Sequence, residues 1–186
     1  MNSRDIIRNL YETFGSSDYI GEPITQLEHA LQASIQAIND KMPPSMILST
    51  FLHDIGHLVG LQQNTDPQMS DEISLGIKNH EQLGANFLKN LQFPDAITIP
   101  IRNHVIAKRY LLTMDESYRN QVSTASMLTF EIQGGYLSAD ECTNFENSPY
   151  FDESIQLRIY DDNSKVANMP KNNEKQQYLD YIMSLI

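Results

Sequence analysis

The amino-acid sequence predicts an all-α fold, and three observations carry that prediction. Apolar residues recur at three- and four-residue spacing through most of the chain. Helix start and stop signals sit where those stripes begin and end. No run of alternating polar and apolar residues demands a sheet. The 186 residues suit one domain spanning 1–186, long enough to bury a core.

Residues 4–14 carry Ile6, Ile7, Leu10, Tyr11 and Phe14, one helical stripe. Gly15, Gly21 and Pro23 then mark a loop over 16–23. Thr25-Gln-Leu-Glu28 is a capping box for a helix to about Ala37. Pro43-Pro44 interrupts, and Pro44 fits the first turn of the next helix. That helix carries Met46, Ile47, Phe51 and Leu52 and delivers His53 and Asp54, with His57 one turn beyond His53 on the same face. Residues 60–71 are polar and include Asp66-Pro67, which predicts a loop or lid. A helix from about Glu72 to Leu91 carries His80, and Phe93-Pro94 breaks it. The next runs from about Asp95 to Leu112, where Pro100 should kink or split it and the β-branched run Ala96–Ile101 argues against a helix. Glu116–Gln133 follows, stopped by Gly134-Gly135. Shorter helices are expected over 138–146, Tyr150–Asp162 and 174–186.

Composition excludes several function classes. A net charge of −11 argues against a nucleic-acid surface, because lysine and arginine must neutralise phosphates there. A small anionic ligand stays open, since a pocket can be locally basic. No stretch reaches the roughly 20 apolar residues of a membrane helix. The start, Met-Asn-Ser-Arg-Asp, lacks the apolar core of a signal peptide. Cys142 is the only cysteine, so neither an internal disulfide nor a thiolate cage is available. The expectation is a cytoplasmic enzyme.

All five histidines fall on one metal-binding pattern: His29, the run His53-Asp54-Ile55-Gly56-His57, His80 and His104. Asp161-Asp162 can close the set. Neutral imidazole and ionised carboxylate suit iron, zinc and manganese. A carboxylate between two histidine sets can bridge two cations, one oxygen to each, so four histidines and two aspartates make a dinuclear site with open positions, as catalysis requires. Taken singly, His29, His80 and His104 read as ordinary helix, surface and core histidines, and the aspartate pair as a frayed end. Their ordered spacing, with no histidine left over, favours the metal.

Spacing also suggests an anion pocket. Lys108 lies four residues after His104 on the same helix face, where a cation beside metal ligands is costly unless an anion separates them. Ser126, Thr129 and Gln133 form a polar line, and Arg158 sits three residues before Asp161. An exposed Lys108, a solvent-facing Ser126–Gln133 stripe and an Arg158 paired with Asp161 or Asp162 are the structural alternatives.

The separated histidine, the His53-Asp54 doublet and the distal Asp161 resemble the HD-domain superfamily of metal-dependent enzymes, which implies an HD-type helical bundle. The additional His80 and His104 imply its dinuclear branch. Asp18-Tyr-Ile-Gly-Glu22 followed by Thr25-Gln-Leu-Glu-His29 is similar to the start of the mixed-valent di-iron oxygenases that cleave 2-amino-1-hydroxyethylphosphonate to glycine and phosphate. The resemblance, from about Tyr19 to Asp161, implies an Fe(II)/Fe(III) pair. It implies His29, His53, Asp54 and Asp161 on one iron, and the bridging Asp54 with His80 and His104 on the other. Tyr19 and Glu22 would belong to a loop closing over substrate, with Glu22 toward the amine. Lys108, Ser126, Gln133 and His57 would surround the phosphonate; the spacing, not the resemblance, adds Thr129 and Arg158 as further substrate contacts. Asp54 and Lys108 are the residues assigned to catalysis. O2 and an aminohydroxyphosphonate are the implied substrates, the latter made by a separate hydroxylating enzyme. The competing expectations are an HD-type phosphohydrolase acting on a phosphate ester or nucleotide, a non-catalytic HD-type sensor, and an oxygenase of a polyol such as inositol.

Overall fold

The computed structural model describes residues 2–19, 21–70 and 73–186 and is the all-α bundle expected of an HD-type domain. Helix α1 (Ser3–Phe14) begins where the Asn2 side chain accepts the Asp5 N–H, and it turns Ile7, Leu10 and Tyr11 inward. Helix α2 (Gln26–Asn39) opens on the predicted capping box, with Thr25 and Glu28 satisfying each other's backbone N–H groups. Helix α3 (Pro44–Leu52) carries Pro44 in its first turn and buries Met46, Ile47, Leu48, Phe51 and Leu52.

The chain then breaks at the His53-Asp54 doublet. Asp54 leaves helical geometry (φ −100°, ψ 9°), and a new helix α4 (Ile55–Gln62) starts beyond it. One helix running through the doublet, with His57 one turn beyond His53 on a shared face, is therefore not what forms. The physical reason is packing: α3 lies against α2, while α4 lies against α1 and another helix, α5 (His80–Asn90). The two halves must point in different directions.

Between α4 and α5 the chain makes a small antiparallel hairpin, β1 (Gln68–Ser70) with β2 (Ile73–Gly76), where a loop and the start of a helix are predicted. The predicted start, Glu72, lies outside the described residues. Helix α5 begins only at His80 because Gly76 (φ 79°) and Asn79 (φ 54°) hold left-handed backbone that no right-handed helix passes through. Helix α6 (Asp95–Met114) runs unbroken across Pro100, and the β-branched run is helical because Ile97, Thr98 and Ile101 are buried in the bundle. Tertiary burial outweighs the local preference here.

The predicted helix over 116–133 is instead a 3-10 turn at Tyr118–Asn120 followed by helix α7 (Thr124–Ile132). Ser123 divides them, its side chain accepting the Ser126 N–H as a cap. Gly134 and Gly135 (φ 108° and 59°) end α7 as expected. Helix α8 (Ala139–Glu146) starts with a Ser138–Glu141 capping box. Helices α9 (Phe151–Asp162) and α10 (Asn172–Ser184) complete the chain. Helix α6 packs against α3, α5 and α9, so residues facing inward from all four converge. Among the described residues, no helix is long and apolar enough to cross a membrane.

Helices α4 and α5 cross at Gly56 and Gly84. A Cβ at Gly56 would lie 1.9 Å from the His80 carbonyl oxygen and 2.9 Å from the Gly84 nitrogen. Both obstacles are backbone, so neither can rotate away. Gly56→Ala is expected to destabilise the fold by on the order of 3 kcal/mol or more and to displace His80; thermal denaturation of the variant measures this.

Candidate metal centre and substrate pocket

Four imidazoles meet at the centre of the bundle, each oriented by a backbone carbonyl. His29 Nδ1 donates to Ser164 O at 2.9 Å, His53 Nδ1 to Thr50 O at 2.8 Å, His80 Nδ1 to Ile77 O at 3.3 Å, and His104 Nδ1 to Ile101 O at 2.7 Å. A carbonyl only accepts, so Nδ1 must carry the ring proton when each imidazole is neutral, and the Nε2 lone pair is turned inward. Asp54 stands between the rings. Its Oδ2 lies 3.2 Å from His53 Nε2 and 3.6 Å from His29 Nε2; its Oδ1 lies 3.2 Å from His80 Nε2 and 3.5 Å from His104 Nε2. The break between α3 and α4 is what lets one carboxylate face both pairs.

This donor set fits two cations. His29, His53 and Asp54 form one buried triad, and Asp54, His80 and His104 form another. Within each triad two Nε2 atoms approach closely, at 3.1 Å for His29–His53 and 3.0 Å for His80–His104. Two neutral imidazoles held that way oppose lone pairs, which is favourable only with a positive charge beside them. Asp161 Oδ1 lies 3.2 Å from His29 Nε2, yet it has no hydrogen-bond donor among the described residues. A buried carboxylate oxygen without a donor, aimed at two imidazole lone pairs, is the geometry of a cation ligand. Without a metal, protons answer the same field. Burial pulls the His53 imidazole down, but Asp54 and then Asp161 outweigh it and lift the group to about 9. Burial likewise pushes Asp54 up, and His53 and His80 hold it well below the usual carboxylate range.

The two terminal aspartates of α9 separate. Asp161 turns toward His29, with its other oxygen 2.6 Å from Arg158 Nη1. Asp162 turns away, accepting from Arg158 and from the Tyr118 hydroxyl. Arg158 is thus held between two carboxylates, which keep its guanidinium charged despite burial.

His57 differs from the other four histidines. Its Nδ1 accepts the Ile77 N–H at 3.0 Å, so in the neutral ring Nε2 carries the proton and is a donor. Burial, with the neighbouring His80, lowers this imidazole to about 3 and keeps it neutral. Its ring stacks on His80 at 4.0 Å. A cavity opens beside the centre, and Tyr19, Glu22, His57, Lys108, Ser126, Thr129, Gln133 and Arg158, all expected around a substrate, line it together with Asp54, His80, His104 and Asp161. His29 and His53 do not line it, so the His80–His104 side is the open one. Lys108 is buried, with Nζ 2.8 Å from Thr129 Oγ1 and 3.4 Å from Ser126 O. Burial, followed by repulsion from Arg158, lowers it to about 7. Tyr19 stacks on His29 at 3.9 Å. Buried Glu22 Oε1 and Gln133 Oε1 have no partner among the described residues.

Sequence reasoning missed three contributors. Lys165 lines the same cavity, but it follows Asn163 and Ser164 in a stretch that reads as a frayed end. Ser164 contributes a carbonyl, and backbone groups leave no mark in side-chain patterns. Tyr118 was hidden inside a helix predicted as continuous; the Asp115-x-Ser117 turn, in which Asp115 accepts the Ser117 N–H at 2.8 Å, was the available signal.

Two measurements probe this geometry. Asp54→Ala removes the group common to both triads and is expected to abolish binding of both metals, whereas His104→Ala should retain one; metal content per chain by elemental analysis distinguishes them. Lys108→Met should stabilise the fold by on the order of 1–3 kcal/mol at neutral pH, because an apolar side chain replaces a buried charge, while anion binding is lost. The folded pKa near 7 lies below the ordinary 10.5, so the penalty is full below pH 7 and lifts toward pH 10.5. The stability gap between variant and parent should narrow over that range in denaturant titrations.

No family model matches the chain. Individual relatives do. It is 44% identical over 162 residues, 87% of the chain and 72% of the relative, to an uncharacterized protein of Acanthamoeba polyphaga mimivirus. It is 38% identical to the hydroxymethylphosphonate dioxygenase of Gimesia maris, covering 86% of the chain and 77% of that enzyme. It is 34% identical to the [1-hydroxy-2-(trimethylamino)ethyl]phosphonate dioxygenase (glycine-betaine-forming) of Leisingera caerulea, covering 90% of the chain and 83% of the enzyme. With a buried two-metal donor set beside a cavity lined by cations, and with these relatives along most of its length, the chain belongs to the phosphonate dioxygenase family.

Proposed function

We propose that the protein uses O2 to cleave the carbon–phosphorus bond of 2-amino-1-hydroxyethylphosphonate, giving glycine and phosphate. Both oxygen atoms enter the products, and the four electrons come from the substrate, so no external reductant is consumed. His29, His53, Asp54 and Asp161 would hold one iron, and Asp54, His80 and His104 the other. A mixed-valent Fe(II)/Fe(III) pair held by these residues would supply O2 activation and Lewis acidity.

The remaining residues bind and orient. Lys108, the Nε2–H of His57 and the Ser126, Thr129 and Gln133 side chains face the phosphonate, with Arg158 holding Asp161 beside it. Tyr19, stacked on His29, excludes water from the metal side of the pocket. Charge neutralisation by Lys108 requires its protonated form, and a bound dianion raises its pKa again.

Glu22 carries the choice of substrate. Its unpartnered buried Oε1 lies in the cavity wall, where a primary ammonium donates to it directly. A trimethylammonium has no N–H and is best held by a cage of Trp, Tyr or Phe faces, but among the described lining residues Tyr19 is the only one of those three types. Hydroxymethylphosphonate has no amine and would leave the carboxylate unpaired beside an anion. Hydrolysis of a phosphate ester on the same metals would need no O2, and the named relatives are dioxygenases. The hydroxyl beside phosphorus must be installed earlier, by a separate hydroxylating enzyme.

Phosphorus NMR of the iron-loaded protein with each of the three phosphonates, with and without O2, tests this reading. Phosphate release is expected fastest from the primary amine and only with O2; equal release under anaerobic conditions would sink it. Glu22→Ala should raise KM for the amine substrate by about tenfold or more and leave metal content intact.

A further inference from the structure

We propose that Lys165 is a specificity-determining residue of the pocket: with Lys108 it completes a pair of cations that selects a dianionic phosphonate over a monoanion, and it turns the Ser126 hydroxyl toward that anion. The proposal rests on the phosphonate reading above. Lys165 Nζ lies 2.9 Å from Ser126 Oγ and 3.5 Å from Ser123 Oγ, and its side chain lines the cavity. The Ser126 oxygen accepts from this ammonium. Its own proton has no acceptor among the described residues, so it is available to a ligand oxygen.

Charge placement makes a purely structural role expensive. Lys165 sits at the N-terminus of α7, where the helix dipole disfavours a cation. Its carboxylate neighbour is Asp162, 3.9 Å away, which is already engaged by Arg158 and the Tyr118 hydroxyl. Lys108, across Ser126, contacts a hydroxyl and a carbonyl. Arg158, by contrast, is neutralised by two aspartates. The pocket therefore holds two lysines short of counter-charge on either side of one serine, which matches a ligand carrying two negative charges.

The backbone beneath Lys165 is fixed. His29, Gln32 and Gln36 lie along one face of α2. His29 donates to Ser164 O, Gln32 exchanges hydrogen bonds with Val166 N and O at 2.9 and 3.0 Å, and Gln36 donates to Ser164 Oγ at 2.7 Å. The segment that orients a metal-facing imidazole thus also presents the pocket lysine, on an anchor with little freedom to drift.

Calorimetric binding of methylphosphonate and of its monoanionic methyl ester to the metal-loaded protein tests the assignment without turnover. Lys165→Met should weaken methylphosphonate by about tenfold, as loss of a charge-assisted hydrogen bond implies, and the ester by much less. Lys165→Arg should stay within about threefold of the parent, because charge and reach are kept. Lys165→Met combined with Ser126→Ala should be weaker than either single change by less than their product, since both act on one hydroxyl. Equal dianion affinity in Lys165→Met and parent, with unchanged thermal stability, would overturn the assignment while leaving the dioxygenase reading intact. Fully multiplicative effects would overturn the part played through Ser126. Failure of the parent to bind methylphosphonate would defeat both readings, whereas failure to turn over the aminohydroxyphosphonate would defeat the substrate alone.

Discussion

Everything in this fold accommodates one buried carboxylate that must face four imidazole lone pairs at once. Asp54 can do so only because the backbone leaves helical geometry at that residue. The carbonyls of Thr50, Ile77, Ile101 and Ser164 then hold the four rings in the tautomer that presents Nε2. Those carbonyls come from four separate parts of the bundle. The close Gly56–Gly84 crossing keeps His80 near Asp54, and the clamp of α2 on the 164–166 segment keeps His29 near Asp161. Metal binding and tertiary packing are in this sense one requirement.

The electrostatics run opposite to the overall charge. A chain with net charge −11 surrounds a cavity lined by Lys108, Arg158 and Lys165. The three cations have separate circumstances. Arg158 is satisfied by Asp161 and Asp162, and Asp162 is itself fixed by Tyr118. Lys108 is so deeply buried that its charged form is disfavoured, and Lys165 stands against a helix N-terminus. Such placements lower stability and persist where a ligand supplies the missing charge. Acidic exterior and basic pocket together favour a small anion over a polyanion, for which the outer surface is repulsive.

In the proposed reading, the choice among phosphonates rests on a different part of the wall. Relatives named for hydroxymethylphosphonate and for a trimethylamino phosphonate have ligands that share the hydroxyl and phosphonate but differ beyond the carbon they flank. In this chain Glu22, proposed to face the amine, lines the cavity with an unpartnered Oε1, and Tyr19 is stacked on His29. A hydrogen-bond acceptor discriminates by N–H count, a property that separates primary from quaternary amines more sharply than size does.

Helical periodicity and caps made the all-α architecture legible, including the Thr25–Glu28 box, Pro44 in a first turn and the Gly134-Gly135 stop. The histidines marked a metal centre because imidazole and carboxylate chemistry is a property of residue type, independent of where the chain carries them. The hairpin before α5, the division of 116–133 at Ser123 and the survival of α6 across Pro100 were illegible, since each depends on what the segment packs against. Asp161 and Asp162 are chemically identical neighbours, and only the direction of α9 decides which one meets His29. His57 shares its residue type with the other four histidines but has the opposite tautomer, because the Ile77 N–H happens to reach its Nδ1. The amino-acid sequence by itself determined which chemistry the protein can hold, through the kinds of donor it encodes. The tertiary structure alone decided which atom of each donor points inward, because orientation is set by backbone partners distant along the chain.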